Sequence, residues 1–341
     1  MKKFWVGLVV VIIVVCAACG LLVRSWTITD HGRLNTRVAV LLKLNELVSN
    51  PDYQSISDKR EKLERSSQLF GGKPIPFQNI QNTEIPGPAG NIPIRIYTPD
   101  DPRPMPVIVF YHGGGWVAGS LNTHENVCRK LAKGSNAIVI SVAYRLAPEY
   151  PFPAGIDDSY AALQWVAENA GSFGGDATRI AVAGDSAGGN FAAIVTQMAR
   201  DNNGPAITAQ ALIYPATNFS DFDTESYQQN GTGYMLLKEN MEMYRDMYLP
   251  QKEDWYDPKA SPLLAQDFAG LPPAIIITAE FDPLRDDGKA YAAKLKEAGV
   301  PTEEVECKGF VHAFLSVTRF LPKADEAIDQ VCQFLKGEFK Q

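Results

Sequence analysis

The chain is short of cysteine, of histidine and of positive charge. Of its five cysteines in 341 residues, Cys16 and Cys19 lie in an apolar run, and Cys128, Cys307 and Cys332 are scattered, with no C-x-x-C among them and no histidine partner at metal-binding spacing, which excludes a zinc ribbon and a disulfide-built scaffold. Lysine and arginine number 32 against 39 aspartate and glutamate, a formal charge of −7. A basic face for phosphate is therefore missing, which argues against a nucleic-acid partner. No Gly-Lys-Ser/Thr loop is present, so a nucleoside-triphosphate site of the usual kind is excluded. There is no internal repeat and no low-complexity stretch. Hydrophobic residues at 45% and charged residues at 21% give the balance of an ordinary globular chain.

One stretch lacks charge altogether. Phe4 to Val23 reads FWVGLVVVIIVVCAACGLLV, twenty uncharged residues, enough as a helix to cross a bilayer core of about 30 Å. A segment apolar all round at a terminus is not a core helix of a small body. It reads as a retained membrane anchor spanning residues 4–23, with the acidic body exported to a periplasmic or lumenal space. The alternatives are a cleaved signal, giving a secreted protein, and a lipoprotein signal cut before Cys19. Lys2 and Lys3 lie on one side and Arg24, Arg33 and Arg37 on the other, so charge does not set the orientation.

Beyond the run, residues 30–70 are polar and helical in pattern, with Val38, Leu41, Leu42, Leu44 and Leu47 on an apolar face before Asn50-Pro51. After Gly71-Gly72, short β-rich runs alternate with helical stretches. The runs are Ile92–Tyr97, Val107–Tyr111, Ala137–Tyr144, Ile180–Gly184, Ala209–Tyr214, Ala274–Thr278 and Thr302–Cys307. Several are apolar on both faces, which predicts an α/β fold: a mostly parallel central sheet flanked by helices. Residues 217–260 break the alternation with a Met- and Tyr-rich helix, Lys238–Tyr248. Insertions of this kind commonly sit over strand C-termini, where ligands bind. The expected organisation is an anchor over 1–24, cap helices over 25–75, a catalytic body over 76–216 and 261–341, and a cap insertion over 217–260.

Three motifs carry chemistry. Gly184-Asp185-Ser186-Ala187-Gly188 places G-x-S-x-G between a strand and a helix. Small neighbours let strand and helix approach at a sharp, strained turn, which lifts the Ser186 hydroxyl out as a nucleophile. The Ala187 N–H opens the helix unpaired. His112-Gly113-Gly114-Gly115-Trp116 follows an apolar strand, and its glycines can turn N–H groups toward a substrate oxygen. Gly113 and Gly114 are expected to join Ala187 in an oxyanion hole. His112 reads as a loop support, and Trp116 as pocket wall or packing. The third motif supplies a base and an acid. Only four histidines exist, and His312 alone follows Ser186, as the order serine, acid, histidine of an α/β-hydrolase requires. Asp282, just past the run Ala274–Thr278, is the expected acid. Asp286 and Asp287 are rivals placed where helix-start acids often serve only as N-terminal charge.

Together these residues resemble the hormone-sensitive lipase-like, or family IV, carboxylesterases. Tyr144-Arg145-Leu146-Ala147-Pro148-Glu149 and Asp282-Pro283-Leu284-Arg285-Asp286 resemble the same family's other signatures, over residues 75–337. The resemblance implies an α/β-hydrolase fold with a helical cap, serine-dependent hydrolysis of small-molecule esters with short acyl chains through an acyl-enzyme, and no cofactor. Tyr150 stands where relatives commonly have histidine. The apolar N-terminus resembles that of the membrane-anchored arylacetamide deacetylases, which adds amide hydrolysis as an alternative. A non-catalytic receptor, as in the plant gibberellin receptor, is the alternative of another class, and the presence of His312 weighs against it. Asn218-Phe219-Ser220 and Asn230-Gly231-Thr232 are glycosylation sequons, of consequence only in a eukaryotic secretory pathway. The exposed strand near Thr302–Cys307 leaves the oligomeric state open.

Overall fold

The computed structural model describes Trp5 and residues 17–48, 55–102 and 104–340. Residues 4 and 6–16, most of the apolar run, lie outside the described residues, and so does the greater part of the expected anchor. The described tail of the run is helical through residue 26. No helix among the described residues is long and apolar enough to cross a membrane.

The strands are β1 (Ile28–Thr29), β2 (Gly32–Arg33), β3 (Asn79–Gly87), β4 (Gly90–Thr98), β5 (Met105–Tyr111), β6 (Ile138–Val142), β7 (Gly175–Asp185), β8 (Ala209–Ile213), β9 (Ala274–Phe281) and β10 (Thr302–Val311). The helices are α1 (Thr36–Val48), α2 (Ile56–Phe70), α3 (Glu125–Ser135), α4 (Ala154–Asn169), α5 (Ala187–Asp201), α6 (Glu225–Asn230), α7 (Lys238–Tyr248), α8 (Arg285–Glu297) and α9 (Ala324–Glu338). β1 and β2 pair as a small hairpin, and the rest form one eight-stranded sheet in the order β10-β9-β8-β7-β5-β6-β4-β3. The pairings β3·β4 and β4·β6 are antiparallel and the others parallel.

The strand pattern follows from burial. Every residue of β5 and β6 is buried. Alternate side chains of β5 enter two cores, with Val107, Val109 and Tyr111 in one and Ile108 and Phe110 in the other, as the two-residue strand period requires. Ile156, Leu163, Phe191 and Leu295 from α4, α5 and α8 fill the first core. Leu131 and Val331 from α3 and α9, with Val38 of α1, fill the second. β3 is absent from the expected strands. Its sequence NIQNTEIPG is mostly polar, and only Ile85 is buried, because an edge strand needs few apolar residues.

One feature of the order places the site. From β5 the chain runs to β6 on one side and later returns to β7 on the other, so the sheet reverses winding at β5/β7. Ligands of open α/β sheets bind beyond the strand C-termini at such a point. Tyr111, the last residue of β5, lies in register with Gly184 near the end of β7. The His112 loop and the Ser186 turn therefore emerge side by side.

Candidate active site

Ser186 sits between β7 and α5 with φ 55° and ψ −119°, a strained conformation for a residue with a side chain. The turn is tight for the reason its glycines suggest. A Cβ on Gly188 would lie 1.9 Å from the Tyr111 carbonyl oxygen, and one on Gly184 would lie 2.2 Å from that of Gly188.

His312 follows β10 and Asp282 follows β9. His312 Nε2 lies 2.9 Å from Ser186 Oγ, and His312 Nδ1 lies 2.7 Å from Asp282 Oδ2. The other Asp282 oxygen accepts the Leu284 N–H at 2.9 Å. Asp282 is fully buried, and His312 is 6% exposed. The structure thus brings Ser186, His312 and Asp282 into one hydrogen-bonded line. The rival acids do other work. Asp286 accepts the Ser226 N–H at 2.7 Å, and one Asp287 oxygen accepts the N–H groups of Thr217 and Asn218 at 2.9 and 3.1 Å. They fasten the 217–226 stretch to the start of α8, beyond any helix-start charge role. Burial pushes the Asp287 carboxyl up to about 8, against the pull of those two donors.

The expected oxyanion hole needs one correction. The Gly113 N–H donates to Asp185 Oδ1 at 2.9 Å, so it is already satisfied and is not free to hold a further oxygen. The N–H groups of Gly114, Gly115 and Ala187 have no acceptor among the described residues. Gly114 and Gly115 have φ 135° and 64°, which aims successive N–H groups out of the loop. The free N–H of Gly115, beside that of Gly114, is one the sequence reading did not consider. The signal was Asp185, a carboxylate beside Ser186 that must find donors once buried.

Asp185 is the junction beneath the loop. It accepts from Gly113, lies 3.0 Å from His124 Nε2 and accepts the Tyr214 hydroxyl at 3.4 Å. The Tyr214 ring packs against that of His312, with centroids 4.9 Å apart. Burial opposes the Asp185 charge, but His124, the Gly113 N–H and His112 outweigh it and hold the carboxyl below its usual range. His112 shares a hydrogen bond with the Gly113 carbonyl at 2.9 Å and stacks on Tyr144 at 4.3 Å. Burial, then His124, brings its pKa down to about 4. It is neutral at physiological pH, as suits a loop support. Trp116 is packing: it is 2% exposed, stacks on Tyr248 at 5.3 Å and donates Nε1–H to Asn190 Oδ1 at 3.2 Å.

Two chain stretches converge on the loop from outside the sheet. The Tyr244 ring of α7 is so close that a Cβ on Gly115 would lie 2.6 Å from it. Lys59 of α2 stands over the same ring, its Nζ 3.5 Å from the centroid. Asn230 joins the N-terminal hairpin to the acid loop. Its Oδ1 meets His31 Nε2 at 3.0 Å, and its Nδ2 donates to the Asp282 carbonyl at 3.3 Å. Asn230 has no exposed surface, which overturns its reading as a glycan acceptor. Tyr150, at the position of the relatives' histidine, is 52% exposed and faces Arg145 rather than the Ser186 line. Cys19, Cys128, Cys307 and Cys332 are free thiols. Among the described residues no group of three or more His, Cys, Asp or Glu side chains is placed to hold a metal.

Residues 108–316 match a family model described as the alpha/beta hydrolase fold. The carboxylesterase NlhH of Mycobacterium tuberculosis is 47% identical over 250 residues, covering 72% of this chain and 78% of that protein. This chain belongs to the hormone-sensitive lipase-like branch of the α/β-hydrolases. Within the family, an ethyl acetate hydrolase of Pseudomonas putida is 37% identical over 284 residues, covering 82% of this chain and 89% of its own length. An ester hydrolase from a Lake Arreo metagenome, solved with a bipyridine phosphonate derivative, superposes with a TM-score of 0.87 at 41% identity, covering 90% of this chain and 100% of that one. The eight-stranded, mostly parallel sheet is the family's fold.

Proposed function

We propose that this chain hydrolyses carboxylic esters through an acyl-enzyme on Ser186. The observation that carries the reading is the continuous line Ser186–His312–Asp282, with gaps of 2.9 and 2.7 Å. The names of the three relatives described above, a carboxylesterase, an ethyl acetate hydrolase and an ester hydrolase, point the same way.

In this mechanism Ser186 Oγ attacks the ester carbonyl as His312 Nε2 takes its proton. Asp282 holds the imidazole in the tautomer that accepts at Nε2 and stabilises the imidazolium. The carbonyl oxygen, now negative, is held by the N–H groups of Gly114, Gly115 and Ala187. Preorganised donors of this kind are each worth roughly 3–4 kcal/mol in the transition state. His312 then protonates the leaving alcohol, and water releases the acid by the reverse route. Residues 25–75 and 217–260 serve as a cap. The close approach of Lys59 and Tyr244 over Gly115 supports that role.

A fluorophosphonate probe and a chain-length series of chromogenic esters test the reading. The probe adds to an activated serine, and mass spectrometry should find it on Ser186. The fastest turnover should fall on short acyl chains. A chain that takes no label and turns over no ester is not an esterase, and anilide rates above ester rates would make it an amidase. Attachment to a membrane through residues 4–23, with the body exported, is part of the proposal. It rests on the uncharged run alone. A retained N-terminus in a carbonate-resistant pellet supports it. A mature protein starting at a lipidated Cys19, or one released into the medium, replaces it with the lipoprotein or secreted form.

A further inference from the structure

We infer that Arg60 is a positioning residue for the oxyanion hole, holding the glycine loop in place from the outer helix α2. The inference rests on the ester-hydrolysis reading of this site and adds a residue that belongs to none of its motifs.

Arg60 reaches across to two separate loops. Its Nε donates to the Val117 carbonyl at 2.8 Å, and its Nη2 to the Ala147 carbonyl at 3.0 Å. The same guanidinium grips both Glu149 oxygens, at 2.9 and 2.6 Å, the bidentate geometry that Arg forms and Lys does not. The two loops also meet directly, because the Ala147 N–H donates to the Trp116 carbonyl at 3.0 Å. Arg60 therefore closes a ring of hydrogen bonds around residues 116, 117 and 147. One turn further along α2, Glu64 accepts the Ser120 hydroxyl. Both grips fall on the segment that begins with the oxyanion glycines.

That segment needs holding. Gly114, Gly115 and Trp116 have φ of 135°, 64° and 62°, a run of positive values that costs a residue with a Cβ about 1–2 kcal/mol at Trp116 alone. Its internal tie is one turn bond, Ala118 N–H to Gly114 carbonyl at 3.0 Å. The N–H groups meant for the substrate oxygen are unpaired, so nothing in the ground state fixes their aim except the contacts behind them. Val117 is fully buried, and its carbonyl ends on Arg60. Without the guanidinium, that carbonyl and the one at Ala147 lose a charged donor and the loop loses its outer wall. The donors of Gly114 and Gly115 then drift, and the transition state suffers more than substrate binding.

The test compares Arg60→Leu, Arg60→Lys and Glu149→Gln in the full chain, with Glu61→Gln as a control on the exposed face of α2. Two readouts are needed. One is kcat and KM on a short-chain chromogenic ester. The other is Ki for a trifluoromethyl ketone, whose carbonyl carbon bonds to Ser186 Oγ while the serine proton passes to His312 and the ketone oxygen becomes the held anion. We expect Arg60→Leu to lower kcat by about tenfold or more, below the roughly 10²–10³ of deleting one donor outright, with KM changed less than threefold. Ki for the ketone should rise by the same factor as kcat falls. Glu149→Gln keeps both carbonyl bonds and should lose less than Arg60→Leu. Unchanged kcat and Ki in Arg60→Leu overturn the inference, as does a rise in KM alone. If circular dichroism shows that Arg60→Leu is misfolded, Arg60→Lys, which keeps the charge without the fork, decides by the same criteria. A wild-type chain that turns over no ester and takes no label at Ser186 removes the reading beneath the inference, and the inference with it.

Discussion

Asp185 Oδ1 accepts the Gly113 N–H at 2.9 Å, so the residue beside Ser186 anchors the first glycine of the loop opposite. Asp185→Ala leaves that N–H and His124 without their acceptor in a buried place. A loss of about 3–5 kcal/mol in urea unfolding is expected, with a fall in kcat as the loop loosens. Asp185→Asn keeps an acceptor and should lose less. The carboxyl is held below its ordinary value of 3.8. Its contribution is therefore complete above that pH and disappears as pH falls through the folded-state value. Asp185→Asn should flatten the acid limb of the stability profile; an unchanged limb would assign it to other groups.

Glycines 114 and 115 should differ in how they can be rescued. A Cβ on Gly115 meets the Tyr244 ring at 2.6 Å, whereas one on Gly114 meets the Ala118 carbonyl oxygen at 2.1 Å. Adding Tyr244→Ala should restore part of the stability and activity lost in Gly115→Ala, and none of that lost in Gly114→Ala. The remainder for Gly115→Ala is the left-handed backbone, about 1–2 kcal/mol. A double-mutant cycle measures the coupling, and zero coupling at 115 would contradict the contact.

Asp287 sets a slope of the opposite sign. Its carboxyl rises from 3.8 to about 8 on burial, so the folded state holds the proton more tightly than the unfolded chain. Its contribution is full below 3.8 and is lost as pH rises toward 8. Asp287→Asn keeps an oxygen for Thr217 and Asn218 and has no proton to lose. Melting curves from pH 5 to 8 should show a flatter dependence in Asp287→Asn and a higher Tm than wild type at pH 8. Parallel slopes would mean that Asp287 is ionised across the range.

Ser186→Ala should remain folded and lose ester turnover by roughly a millionfold, and Asp282→Asn should lose about ten-thousandfold. Steady-state assays with folding checked by circular dichroism test both. A Ser186→Ala protein with more than a trace of activity would place the nucleophile elsewhere.

The central strands were legible because they are apolar on both faces. Val107–Tyr111 and Ala209–Tyr214 can be read as runs without knowing their partners. The G-x-S-x-G turn, Asp282 and His312 were legible because their order along the chain is constrained by the fold. The remainder depended on pairing. β3 has too few apolar residues to announce itself. Gly113 looks like its two neighbours until Asp185 is found against it, 72 residues away. Asp286 and Asp287 look like helix-start charges, and only the returning chain at 217–226 shows what they bind. Arg60 lies in a polar stretch that reads only as a cap helix, and its partners are 57 to 89 residues away, Val117 beside the glycine motif and Ala147 and Glu149 within the Tyr144–Glu149 signature.

The distances along the chain have a further consequence. His312 bonds a serine 126 residues earlier, and Asn230 bonds a histidine 199 residues earlier in the hairpin. The proposed reactive line is thus completed only once β10 lies beside β9. A fragment that ends between Ser186 and His312 carries the serine without the histidine proposed as its base. On the proposed reading, assembly of the activity is bound to the docking of β10, the last strand among the described residues, so a chain whose β10 is not yet on the sheet has no base for Ser186.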